Sequence, residues 1–182
     1  MPVYEFEEKR PRVAKSAFVY PEATIIGDVS IGEGCYIAPG ARIRGDWGTV
    51  IIGPYSNIQE NCIIHSAPEV VTRLASRSHI GHGSILHGPI LDEHVVVGMG
   101  AIIMDNVTIG SGCFIGAGAI ITAGTVIPAG RLYMGIPARD CGAIPDKMAK
   151  YLEYATSLYM ELPQRCSKGL QEIDFADAII NP

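Results

Sequence analysis

Aliphatic residues return at every sixth position along much of this chain, as Ile25, Ile31, Ile37 and Ile43 and again as Val97, Ile103, Ile109, Ile115, Ile121 and Ile127. Two positions before each beat stands a small or β-branched residue: Val29, Cys35, Ala41, Ser56, Cys62, Ser84, Ala101, Val107, Cys113, Ala119 and Thr125. This is the hexapeptide pattern of a parallel β-helix, in which each six-residue unit gives one short strand and a turn, and three units close a triangular coil. The repeats cover roughly residues 12–140. Glycine recurs at the corners, where tight turns need positive φ or close backbone approach. After Pro145 the pattern changes: Met148, Leu152, Ala155, Tyr159 and Leu162 fall at helical spacing, with Asp146 near the start. The expected organisation is an N-terminal segment and β-helix over 1–144, then an amphipathic helix and tail over 145–182. Pro163 should end or bend that helix, which is expected to pack along the β-helix or across a subunit boundary.

Composition narrows the classes of partner. With 14 basic against 19 acidic residues and a formal net charge of −5, the chain lacks the basic surplus that binding to a phosphate backbone draws on. Nucleic acid is therefore not an expected partner. The opening MPVYEFEEKRPR has no apolar run of a secretory signal, and no apolar stretch is long enough to span a bilayer, so a cytoplasmic protein with no membrane partner is expected. Five cysteines stand far apart without a C-x-x-C pair, which suggests reduced thiols. Three of them, Cys35, Cys62 and Cys113, sit in the small inward slot of the repeat and read as packing.

The repeats resemble the hexapeptide-repeat family. That resemblance implies a mainly β fold, a left-handed parallel β-helix with a C-terminal α-helix, and assembly as a homotrimer. Interruptions in such a solenoid leave as loops from one corner and are the places to look for function. Three occur: Ile43 to Ile52 is nine residues instead of six, Ile64 to Ile80 is sixteen instead of twelve, and Leu86 to Leu91 is one short. Counting through them puts Arg44, His65 and His87 in one phase, each directly after a beat, so the three side chains should stack. Rungs about 4.8 Å apart let two imidazoles converge on one ion, given zinc–nitrogen bonds of about 2.0–2.1 Å. His82 has a different phase, near a corner one strand earlier. In a side-by-side trimer it is placed to supply a third ligand across the interface. His79 and His94 are expected as surface or supporting groups.

RGDWG (44–48), NIQENCIIH (57–65) and HGSILHG (82–88) are similar to the motifs of γ-class carbonic anhydrases. Carried over residue by residue, the resemblance implies a divalent metal held by His65 and His87 of one subunit and His82 of the next. Zn2+ is expected, with Fe2+ or Co2+ not distinguished from it by imidazole ligands. It further implies that Arg44 and Asp46 form an interface ion pair, that Gln59 hydrogen-bonds the metal-bound hydroxide, and that Tyr133 contacts substrate or packs. The reaction implied is addition of hydroxide to CO2 to give bicarbonate, since a dication so held can bring the pKa of its water to about 7. The acids expected for proton transfer are missing: Trp47 stands at one position, and Glu69 is the only acid in the loop after His65.

The opening residues, the core and the tail YMELPQRCSKGLQE also look like the PaaY and CaiE branch, linked to coenzyme A thioester metabolism. This implies an alternative, hydrolysis of a coenzyme A thioester by the same site. A hexapeptide acyltransferase, which needs a histidine base but no metal, and a noncatalytic assembly subunit complete the readings. The expected partners are thus CO2 and bicarbonate, or an acyl-CoA, and further copies of the chain.

Overall fold

The computed structural model describes residues 3–179; residues 1, 2 and 180–182 of the segments delimited above lie outside the described residues. The chain winds as a parallel β-helix whose short strands stack on three faces. The first face carries residues 24–27 and 42–45 and the strands Ile63–His65, Ile85–His87, Ile102–Ile103 and Ile120–Ile121. The second carries residues 29–31 and 50–52, then Val71–Leu74, Ile90–Leu91, Thr108–Ile109 and Val126–Ile127. The third stacks seven strands from Phe18–Val19 to Arg131–Gly135, and Ala138–Ala143 folds back antiparallel on the last of them. The first two faces are joined because the strands Thr24–Ile31 and Arg42–Ile52 run through the corner without a break.

The six-residue beat is the inside of this coil. Every beat residue named above is buried, and so are the small slots two positions earlier except Thr125 in the last coil, which is half-buried. Each buried isoleucine contributes about 1.5–3 kcal/mol relative to exposure, and none of it is available unless neighbouring coils stack. Cys35, Cys62 and Cys113 fill the inward slots as expected, and all five thiols are free. Burial pushes the first two up to about 11, which makes them inert packing groups at neutral pH.

The irregular steps have steric explanations. In RGDWG the nine-residue step stays within one strand, and both glycines sit under foreign backbone: a Cβ on Gly45 would stand 2.4 Å from the Asp28 carbonyl oxygen, and one on Gly48 2.2 Å from that of Val70. The extra residues after His65 form a loop tied down by side chains. Ser66 Oγ donates to the Thr49 carbonyl at 3.0 Å, and Thr72 Oγ1 donates to the His65 carbonyl at 3.1 Å. The short step falls at Gly88 and Pro89.

The helix spans Asp146–Gly169 and continues through Pro163, so of the two expected effects of that residue, ending the helix does not occur. Proline removes one intrahelical hydrogen bond, but this one is buried, and Met160 and Gln164 beside it line a shared cavity with Ala17 and Phe18 of the solenoid. Tertiary packing offsets the local penalty. The helix lies along the third face on Leu152, Thr156 and Pro163, with Met148, Ala155, Tyr159 and Leu162 half-buried. Among the described residues no helix is long and apolar enough to cross a membrane.

Candidate functional site

The expected stack is present. Arg44 is in register with His65, and His65 with His87, all at the end of the first face where it turns toward the second. His65 Nδ1 lies 3.1 Å from His87 Nε2. The outer nitrogens are spoken for: His65 Nε2–H donates to Asp46 Oδ1 at 3.1 Å, and His87 Nδ1–H donates to Asp105 Oδ1 at 2.6 Å. A neutral imidazole carries one hydrogen. With both hydrogens directed outward, the inner nitrogens face each other as two lone pairs. Burial holds His65 below its ordinary pKa even against the pull of Asp46, which favours the neutral ring. Such a gap repels itself when empty of charge and becomes attractive around a cation. Tetrahedral ligation at about 2.0–2.1 Å sets ligand nitrogens about 3.3–3.4 Å apart, so the pair needs to open by only a few tenths of an ångström.

Asp46 anchors this corner. Burial alone would raise its carboxyl, but the hydrogen bonds from Arg44, His65 and the Trp47 backbone N–H hold it below the usual range. Arg44 and Asp46 pair within the chain, because residues two apart on a strand point to the same side. Trp47 is exposed, with its ring centroid 5.5 Å from that of His65 and the Arg44 guanidinium 5.9 Å above it. Glu69 is exposed on the following loop.

His82 stands at a different corner, where the third face turns into the first. Its Nδ1 is paired with Glu60, and its Nε2 lies 3.5 Å from the Tyr159 hydroxyl on the helix. Gln59 is buried beneath it. One Gln59 Nε2 hydrogen goes to Asn57 Oδ1 at 2.9 Å and the other to His79 Nε2 at 2.8 Å, while Oε1 accepts the His82 backbone N–H at 3.2 Å. The amide donors are thus spent inside the chain, and one lone pair of Oε1 remains. His79 is no surface group: burial pushes it down to about 4, leaving a neutral ring that accepts from Gln59, with the edge of Tyr159 packed at 5.0 Å between centroids. His94 is half-buried, 3.5 Å from Glu153 of the helix.

Tyr133 does not join this group. It follows Ile80, Val97 and Ile115 in register, three coils away, and packs against the core because it occupies a beat position. The tyrosine near His82 is instead Tyr159, which periodicity marks only as a packing residue. Between the helix and the third face lies a cavity of about 280 Å³ lined by Gln59, His82, Met99, Phe114, Tyr151 and Tyr159 among others. Among the described residues, no group of three or more His, Cys, Asp or Glu side chains gathers as a metal cage within one chain. His65 and His87 meet at one corner, and His82 stands at another.

Comparison with known proteins gives concordant results. The family model described as bacterial transferase hexapeptide (six repeats) matches residues 10–45 and 88–123. The carnitine operon protein CaiE of Escherichia coli K12 is 39% identical over 172 residues, covering 94% of this chain and 88% of that protein. A Bacillus cereus protein classed provisionally as an acetyltransferase superposes with a TM-score of 0.89 at 37% identity, over 93% of this chain and 98% of that one. A hexapeptide transferase family protein from Anaplasma phagocytophilum gives 0.84 at 32% identity, over 90% and 96%.

Proposed function

Because the chain belongs to the hexapeptide-repeat family, in the branch of the CaiE proteins, we propose that it is an enzyme whose site is completed between copies in a homotrimer. His65 and His87 of one copy and His82 of the next would hold a divalent cation, for which zinc is the first candidate. When bound, that ion supplies a water acidic enough to act as hydroxide near neutral pH, suited to converting CO2 to bicarbonate. The observation that carries this reading is that His65 Nδ1 and His87 Nε2 face each other at 3.1 Å while the outer nitrogen of each ring meets a carboxylate.

The chain's own residues then have distinct duties. Asp46 keeps the His65 hydrogen on Nε2 and is itself held by Arg44. Glu60 does the same for His82 at Nδ1, which leaves Nε2 open toward the cavity. Gln59 fixes the backbone of His82 and offers its remaining carbonyl lone pair to a hydroxyl donor. Tyr159 brings a hydroxyl to the same edge.

The test is metal content per chain in protein purified without oxygen and without a histidine tag. It is read with stopped-flow CO2 hydration and thiol release from acyl-CoA substrates on the same preparation. One ion per chain with hydration lost in His65→Ala supports the reading. Thiol release alone, dependent on His65, would replace CO2 by a thioester carbonyl at the same site.

A second reading has its own observation. Glu60 and His82 form a carboxylate–imidazole pair with Nε2 directed to the cavity edge, where the Tyr159 hydroxyl stands 3.5 Å away, the arrangement of a general base, and one similar structure is classed provisionally as an acetyltransferase. In an acyltransferase that base would take the proton of an acceptor amine or hydroxyl as it attacks the thioester carbonyl of an acyl-CoA, and would return it to the coenzyme A thiolate as the carbon–sulfur bond breaks. Acyl transfer that survives chelation and His65→Ala but not His82→Ala would establish it.

A further inference from the structure

We infer that Asp105 is the positioning residue for His87, fixing the ring so that Nε2, and not Nδ1, is presented to a metal. The inference rests on the metal reading above. Asp105 lies in the turn after the strand Ile102–Ile103, one coil above His87, and its position is set by backbone. Its carbonyl accepts the Gly124 N–H at 2.9 Å, and Asn106 next to it takes a left-handed φ of +56° that closes the turn. The short step at Gly88 brings the turn close: a Cβ on Gly88 would sit 3.6 Å from Asp105 Oδ1. In this geometry the carboxylate meets His87 Nδ1 at 2.6 Å, a short contact just below the usual charge-assisted range of about 2.7–2.9 Å.

The two carboxylates of this corner are not equivalent. Asp46 is shared among Arg44, His65 and the Trp47 N–H, so the loss of any one contact leaves the others to hold it. The Asp105 carboxylate has His87 as its single side-chain partner among the described residues and is half-exposed. His87 in turn has no second group on Nδ1 among those residues. Without Asp105 nothing keeps the hydrogen on that atom, and the ring is free to carry it on Nε2, where it blocks ligation. Groups that hold a ligand histidine in this way are worth about 10- to 100-fold in metal affinity.

The experiment uses the full chain and compares wild type with Asp105→Ala, Asp105→Asn and Asp105→Glu. Long-range proton–nitrogen NMR of the metal-free protein at mildly alkaline pH reads the hydrogen position on His87 directly. Nδ1–H is expected in wild type, with a shift toward Nε2–H in Asp105→Ala and Asp105→Asn and recovery in Asp105→Glu. Titration with cobalt(II), followed by its visible absorption, should show affinity about 10- to 100-fold weaker in the first two variants. Thermal melting should be unchanged, because the side chain is half-exposed in a turn. Nε2–H in wild type, or unchanged cobalt affinity in Asp105→Ala, overturns the inference while leaving the metal reading intact. Failure of wild type to bind cobalt overturns the metal reading, and the NMR arm still decides whether Asp105 sets the ring.

Discussion

Two corners of one solenoid carry the histidines, and they are built by different means. At the His65–His87 corner the side chains meet because strands stack in register, so their convergence follows from counting residues. At the His82 corner the partners come from the preceding coil and from a helix far along the chain, with Tyr159 seventy-seven residues away. The first corner is an outcome of periodicity. The second is an outcome of packing. If the two meet in the assembled molecule, each contributes what the other lacks: the first a pair of inward lone pairs, the second a single imidazole beside a cavity.

The sharpest way to break this comparison is to remove one corner at a time. His65→Ala and His82→Ala should each abolish metal retention and return activity to background, although the two residues never touch within a chain; metal analysis after dialysis decides it. Mixing the two inactive variants before reassembly is the next step. If sites lie between copies, random trimers restore about one quarter of them, because that fraction of boundaries joins two intact corners; sites within a chain give no recovery.

A smaller effect separates the corners by pH. His79 sits only in the second network, and its neutral form is favoured in the fold because burial brings it down to about 4 from an ordinary 6.5. Its contribution is complete above the unfolded value and is lost as pH falls from 6.5 toward 4, at most about 3 kcal/mol. Urea unfolding at the two ends of that window should show the loss, and His79→Asn should flatten it. The least effect is expected for Tyr159→Phe, which keeps the packing on Tyr36 and His79 and removes a hydroxyl worth about 1 kcal/mol, or about five-fold in rate. A drop much beyond that would give Tyr159 a direct part in the reaction.

The same contrast explains what could be read from sequence. The coil, its buried beat and the Arg44–His65–His87 stack were all legible, since each depends only on a repeat length and on counted interruptions. Asp105 was not, because turn positions after a strand accept many polar residues and the pattern does not mark which one reaches the coil below. The burial of His79 was hidden for a related reason: it precedes a beat residue and points outward from the solenoid, and only the docked helix encloses it. Tyr133 packs against the core, one of its two expected roles, and Tyr159 stands near His82 unannounced, because spacing identifies a core position but not the neighbour that a helix brings to it. Pro163 does not end the helix because the packed face outweighs its local propensity.

The hairpin at the far end of the third face has a separate consequence. A stack of parallel coils could in principle recruit another molecule end to end, strand on strand, and grow into a fibre. Here Ala138–Ala143 runs antiparallel over Arg131–Gly135 and occupies the hydrogen-bonding edge of the third face. Cutting back or straightening that return strand would uncover a pairing edge on this face, so the strand blocks strand-on-strand growth there as well as closing the coil.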